Sequence, residues 1–256
     1  MTRFITLPSR RFQSGQAAAE FAFVGIVFLG MMGGLVEMVY VTRAKHLLNM
    51  ATFDAARTGS LNNATIAPME ITLENDMAAL YMQTSTTQAG LTAAIASAQN
   101  VYNTMKTNGA PGFTPLTIIS PSADMVSTKD GFGETQMIRL ASQTAEQANV
   151  VIPNDNLQWR DRGTKGVTAS NGAKVFVNVQ DANILKIRVY WCQHLVVPGL
   201  DVVIHGIADQ LPADNGEQAV CDTLTSQSQD DYYIALESDA VIQMQSPVVV
   251  DDGNLR

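Results

Sequence analysis

From Phe21 to Val36 no side chain is charged or strongly polar; Glu37 breaks the run, and Met38-Val39-Tyr40-Val41 completes it. As a helix rising about 1.5 Å per residue, Phe21–Val41 is about 31 Å long, close to the roughly 30 Å of a bilayer's hydrocarbon core. A buried core helix shares this look over shorter stretches, but an uncharged run of this length predicts a membrane span over about 21–41. Beyond it the apolar pattern thins without stopping. Tyr40, Ala44, Leu47-Leu48, Ala51 and Ala55 recur at three- and four-residue spacing until Gly59-Ser60. The expectation is one helix over about 16–60, lipid-facing in its first half and amphipathic to about 58.

Two more helical patterns follow, Pro68–Met82 and Thr86–Lys106. The second carries an apolar stripe of Leu91, Ala94-Ile95, Ala98, Val101-Tyr102 and Met105 that ends at Asn108-Gly109. Pro111, Pro115, Pro121, Gly131 and Gly133 make 109–133 a predicted loop, and Glu134–Ala148 reads as a further helix. From Val150 the period drops to two. Ser170-Asn171-Gly172 is a hairpin-type turn before a strand at Lys174–Val179. Gln180–Asn183 then turns the chain into Ile184–Cys192, where Leu185, Ile187, Val189 and Trp191 alternate with Lys186, Arg188, Tyr190 and Cys192. Tyr232–Gln245 is another strand, and the tail Asp251–Asn254 reads as flexible. The expected fold class is α+β: a long N-terminal helix packed against a small antiparallel sheet of three or four strands. Residues 61–149 form a mostly helical insertion and 150–256 the strand region.

Charge narrows the function classes. The chain carries 16 Lys+Arg against 24 Asp+Glu, a formal net charge of −8. Nucleic-acid binding needs a basic face to neutralise phosphates, so this balance argues against it.

The stretch before the apolar run is the most informative. Gly15 is followed by Gln16-Ala17-Ala18-Ala19 and then Glu20-Phe21. This pattern resembles the prepilin signal of type IV pilin-like proteins, and more narrowly the TadE-like pseudopilins of tight-adherence (Tad) pili. The resemblance extends to Asp54-Ala55-Ala56-Arg57, covers about residues 10–60, and is faint again at Ile184–Gln193 and Tyr232–Gln245. At 256 residues the chain is long for that family. The resemblance implies a pilin-like fold and cleavage between Gly15 and Gln16 by a prepilin peptidase, which removes the basic leader 1–15. That cut takes away Arg3, Arg10 and Arg11 and no acid, shifting the formal charge from −8 to −11. It also leaves a free ammonium on Gln16 as counter-charge for Glu20 in the same or an adjacent subunit. Glu20 and Phe21 would then act in assembly; the plainer reading is a carboxylate tolerated near a helix N-terminus, where negative charge is favoured. The implied partners are the peptidase, other pilin or pseudopilin subunits, an inner-membrane pilus assembly platform and the lipid bilayer.

Three leader arginines favour a cytoplasmic N-terminus, although Arg43 and Lys45 flank the other end of the span. The pilin-like signal and the two cysteines favour a single pass through the bacterial inner membrane with a periplasmic C-terminal region. In an exported domain the default for Cys192 and Cys221 is one disulfide; in the cytosol they would be buried thiols. Closing a loop of about 30 residues stabilises by roughly 3 kcal/mol in the chain-entropy model. Gly30-Met31-Met32-Gly33-Gly34 contains a small-xxx-small pair that permits close helix approach in lipid.

Catalytic patterns are sparse. His46, His194 and His205 have no metal-ligand spacing, and no phosphate loop, dinucleotide fingerprint or Gly-x-Ser-x-Gly occurs. Cys192 and His194 would share a strand face, a conceivable nucleophile–base pair. Asp209 with Asp214-Asn215-Gly216-Glu217 is an acidic loop able to hold Ca²⁺ through oxygen ligands, without EF-hand spacing. No enzyme activity, cofactor or metal is expected. The rivals to a pilus subunit are an envelope enzyme or receptor anchored by an uncut helix, a secretory signal peptide, and a pseudopilin of a secretion system.

Overall fold

The structure, a computed structural model, describes residues 14–82, 87–109, 113–140, 143–208, 210, 217–227, 231–249 and 255, with side chains of the first helix from Glu20 onward. Its frame is α1, Ser14–Leu61, a single helix of 48 residues and about 72 Å. The chain leaves it through Asn63 and Ala64, both at positive φ (59° and 60°), and enters α2, Ile66–Met77, then a 3₁₀ turn Ala78–Leu80 and α3, Gln88–Asn108. The two helices are tied by Glu70 Oε1, which accepts from Tyr102 Oη at 2.9 Å and pairs with Lys106 Nζ at 2.7 Å.

The remaining elements are β1 (Leu116–Ser120), α4 (Ala123–Val126), β2 (Glu134–Ile138), β3 (Gln147–Ile152), β4 (Lys165–Thr168), β5 (Lys174–Val177), α5 (Val179–Ala182), β6 (Ile184–His194), α6 (Leu200–Ala208), α7 (Glu217–Gln227), β7 (Tyr233–Gln243) and β8 (Val248–Val249). The central sheet has the order β1-β6-β7, all antiparallel, and β6 and β7 pair without a break from Ile184↔Gln243 to His194↔Tyr233. β2-β3-β8 form a second sheet and β4-β5 a separate hairpin.

Leu185, Ile187, Val189 and Trp191 are fully buried, as the alternation along β6 predicts, and they pack in one core with Leu48, Ala51, Ala55 and Ala56 of α1. A Cβ on Gly59 would collide with Met69 and Leu185, so this glycine allows α1, α2 and β6 to meet. The other face of β6 is covered only near its end. Lys186 and Arg188 stay at the surface with Asp239 and Glu237, whereas Tyr190 and Cys192 are buried.

Three local expectations are corrected. Glu134–Ala148 is not a helix but holds β2 and the start of β3; Glu134↔Val151 through Ile138↔Gln147 are paired. Its alanines and glutamates favour helix, but strand pairing through the β-branched Val150-Val151-Ile152 outweighs that local preference. The 109–133 loop contains β1 and α4, so 61–149 is less helical than expected; Leu116 and Ile118 are buried against β6. The turn at Gln180–Asn183 is the one-turn helix α5, held by a capping box between Asn178 and Asp181. The tail Asp251–Asn254 lies outside the described residues.

Candidate membrane and assembly site

Along its first half α1 stands clear of the rest of the protein. Phe21 is 80% exposed, and Phe23, Ile26, Leu29, Met31, Leu35, Met38 and Val39 are all exposed. So much apolar surface is unfavourable in water; only 6% of the most apolar window of this helix is buried. A Cβ on Gly25, Gly30 or Gly34 would meet nothing within 4 Å, so the small-xxx-small pair Gly30/Gly34 lies on open helix surface. Glu20 is exposed at the lower end of this segment. The Gly15–Gln16 peptide bond falls in the first helical turn, and the leader 1–13 lies outside the described residues.

The bare segment ends where the head reaches down to it. Glu37 is 1% exposed. Its carboxylate accepts from Val196 N–H (3.2 and 3.0 Å to the two oxygens) and from Val197 N–H (2.8 Å). A buried carboxylate is tolerated only when its oxygens are satisfied in this way. One turn below, a Cβ on Gly33 would lie 2.7 Å from Leu200 Cδ1 and 3.1 Å from Val197 Cγ1. Gly33 is therefore small because the head's loop packs on it. The two contacts set the register of the head on α1. From Glu37 to Gly59 the helix rises about 33 Å, and β6 with its exit, Leu185 to Val196, spans about 36 Å in the opposite direction.

Above Glu37 the side of α1 away from the sheet keeps apolar groups at the surface, with Met50 66% and Phe53 50% exposed. The opposite side is fixed by Ala44, Leu48, Thr52, Ala55 and Ala56, all fully buried, and by a bond from Ser238 Oγ to Asn49 Oδ1 at 2.9 Å.

Cys192 and Cys221 are bonded, with Cα atoms 5.4 Å apart. The bond ties β6 to helix α7. It also excludes Cys192 as a thiol nucleophile beside His194. His194 Nε2 instead lies 3.2 Å from Asp231 Oδ1, and its ring meets Tyr233 in a tilted contact, 5.5 Å between centroids. Among the described residues, no three His, Cys, Asp or Glu side chains cluster as metal ligands. Asp209 and 214–216 lie outside the described residues, and Glu217 is buried at the start of α7 beside Tyr190. Burial and the neighbouring Glu217 carboxylate push the Tyr190 hydroxyl up to about 12. Across the sheet, Arg188 grips Asp239 through two bonds of 2.8 and 3.1 Å and holds its carboxyl below the ordinary value of 3.8. A cavity of about 320 Å³ beside β2 and β4 has its cations engaged, Arg160 by Glu134 and Asp155, Lys165 by the Gly131 carbonyl.

Glu37, Gly33, Val196 and Val197 form a unit that no spacing along the chain marks. The available signal was Glu37 itself, the one acid inside the apolar run.

Residues 15–57 match the family model described as TadE-like protein. No curated protein and no solved structure matches the chain. The match takes in the Gly15–Phe21 pattern, the bare half of α1 and the buried half as far as Arg57; the sheets and helices of the head lie beyond it.

Proposed function

We propose that this protein, TadE-like over residues 15–57, is a pseudopilin or minor pilin subunit that helps build a tight-adherence pilus. Its work is assembly rather than catalysis. One observation carries the reading: the apolar half of α1 projects from a folded head and runs directly into Gly15-Gln16 and Glu20-Phe21. A subunit of this shape can be held in a bilayer and later moved into a bundle of like helices, where exposed apolar groups such as Phe21, Met50 and Phe53 become contacts.

In this reading a prepilin peptidase cuts between Gly15 and Gln16, unwinding the first helical turn to do so. The head lies in the periplasm, the span sits in the inner membrane, and an assembly platform there receives the subunit. Glu20 pairs with the Gln16 ammonium of a neighbouring subunit, because a buried carboxylate without a counter-charge is strongly unfavourable. That pairing sets the axial register between neighbours.

The test is mass spectrometry of the protein from its native membrane, followed by Glu20→Ala in a strain lacking the wild-type copy. A mature chain beginning at Gln16 and loss of surface pili with normal processing are expected. Recovery of Met1–Gly15 still attached in cells that carry the peptidase would refute the subunit reading. Normal piliation by Glu20→Ala would refute the register role.

A further inference from the structure

We propose that the arm Val196–Ala208 is a second membrane element, with α6 laid into the head-side leaflet beside α1. The proposal rests on α1 being the membrane span and adds to it where the bilayer ends on the head.

Length is the first argument. The head contacts α1 at Gly33 and Glu37, which leaves Phe21–Met32 bare, about 18 Å of helix. Counting from Gln16 gives about 25 Å; a hydrocarbon core is about 30 Å. On its free side α1 stays apolar through Met38, Val39 and Tyr40, and its next charged residue after Glu37 is Arg43. The helix rises about 9 Å from Glu37 to Arg43 and about 15 Å from Gly33 to Arg43. With the headgroups at Arg43, Leu200 beside Gly33 lies inside the leaflet.

The second argument is the face that α6 shows. Its polar residues Asp201 and His205 point inward and are buried, while Val202, Val203 and Ile207 are about half exposed, with Val196 exposed next to them. This is inverted relative to a helix that meets water on its outer side. An apolar outer face next to a membrane span suits burial about 5–10 Å into the acyl boundary.

The backbone supplies the third. In hydrocarbon every N–H must find a partner within the protein. Leu195 N–H donates to Tyr232 O, Val196 and Val197 to Glu37, Gly199 and Val202 to Asp201 Oδ1, and Leu200 and Asp201 to Val197 O; residue 198 is proline and has no N–H. Glu37 and Asp201 are thus the acids that let a loop enter lipid.

The experiment places an environment-sensitive fluorophore on a single added cysteine in the full chain, reconstituted in phosphatidylcholine vesicles. The native cysteines are disulfide-bonded, so they leave the label site unique. Val203→Cys is the test position, Val27→Cys reports on α1, and Phe176→Cys, 79% exposed on β5, reports on the aqueous head. Label at Val203 is expected to emit to the blue of Phe176, to be quenched by spin-labelled lipid, and to resist iodide several-fold better. Lipid quenching at Val27 with iodide quenching at Val203 overturns the arm and leaves the span standing. Iodide quenching at both positions overturns both. Shielding at Val203 from iodide and lipid alike, falling as protein is diluted in lipid, shows that a second copy covers α6 and overturns the proposal.

Discussion

The two halves of α1 belong to one unbroken helix and meet opposite surroundings. Below Glu37, leucine, phenylalanine and methionine side chains point outward and stay about half to four-fifths exposed; above it, alanines and Leu48 are sealed beneath β6 and β7. Apolar content does not separate the halves, since the more apolar one is the bare one. Charge does. No charged side chain lies between Phe21 and Val36, whereas Arg43, Lys45, Asp54 and Arg57 punctuate the upper half and confine its buried groups to one side. On that side Ala44, Ala51, Ala55, Ala56 and Gly59 let a sheet and a second helix come close, while the lower half is apolar all round and meets the head only toward its upper end, at Gly33.

The strongest challenge to that contrast is a pair of truncations. Leu48→Ala should destabilise the head by about 2–5 kcal/mol, because it leaves a cavity in a closed core. Leu29→Ala should leave head stability unchanged. Denaturant unfolding of the detergent-solubilised protein, followed by tryptophan emission, compares them; equal losses would mean that the lower half is part of the core.

Reduction of Cys192–Cys221 should lower head stability by roughly 3 kcal/mol while leaving membrane insertion intact. Thermal melts with and without reductant, alongside alkaline extraction of membranes, read the two effects separately.

Gly59→Ala sharpens the comparison at a single methyl. Overpacking against fully buried Met69 costs about 1–3 kcal/mol, offset by up to about 1 kcal/mol of helix propensity. Gly25→Ala meets open space and should not destabilise the head. The same unfolding assay ranks them, and a stabilising Gly59→Ala would show that Met69 can move aside.

The smallest effect is electrostatic. Asp239 has its folded-state pKa held below 3.8 by Arg188 and Lys186. The associated stability is present above the unfolded value and is lost as pH falls through the folded one. Below about pH 4 the wild type should therefore lose up to about 1 kcal/mol relative to Asp239→Asn, since the pair is partly solvated. Melting curves of both proteins between pH 7 and pH 3 test the sign.

Much was legible because it depends on local order. Uncharged length marked the stretch of α1 that stands exposed, three- and four-residue spacing carried α1 past Val41, and period-two alternation located β6 together with its buried face. The motif at Gly15–Phe21 pointed to the family whose model matches residues 15–57, since short linear signals survive without any tertiary context. What misled was propensity: Glu134–Ala148 contains helix formers, yet β2 and β3 pair there. Strand pairing is a contact between distant segments, and no single segment records it.

By itself, the sequence determined which residues had to leave water and with what period, because burial is written into side-chain type and spacing. The tertiary structure alone decided where those residues met. It made Glu37 the acceptor for two backbone amides across 159 and 160 residues of chain, made Gly33 the floor for Leu200, and turned the apolar side of α6 outward. A carboxylate in an apolar run has no assignable role until a donor is brought to it. That placement is fixed by the path of β6 down the face of α1, which brings Val196 and Val197 to the depth of Glu37.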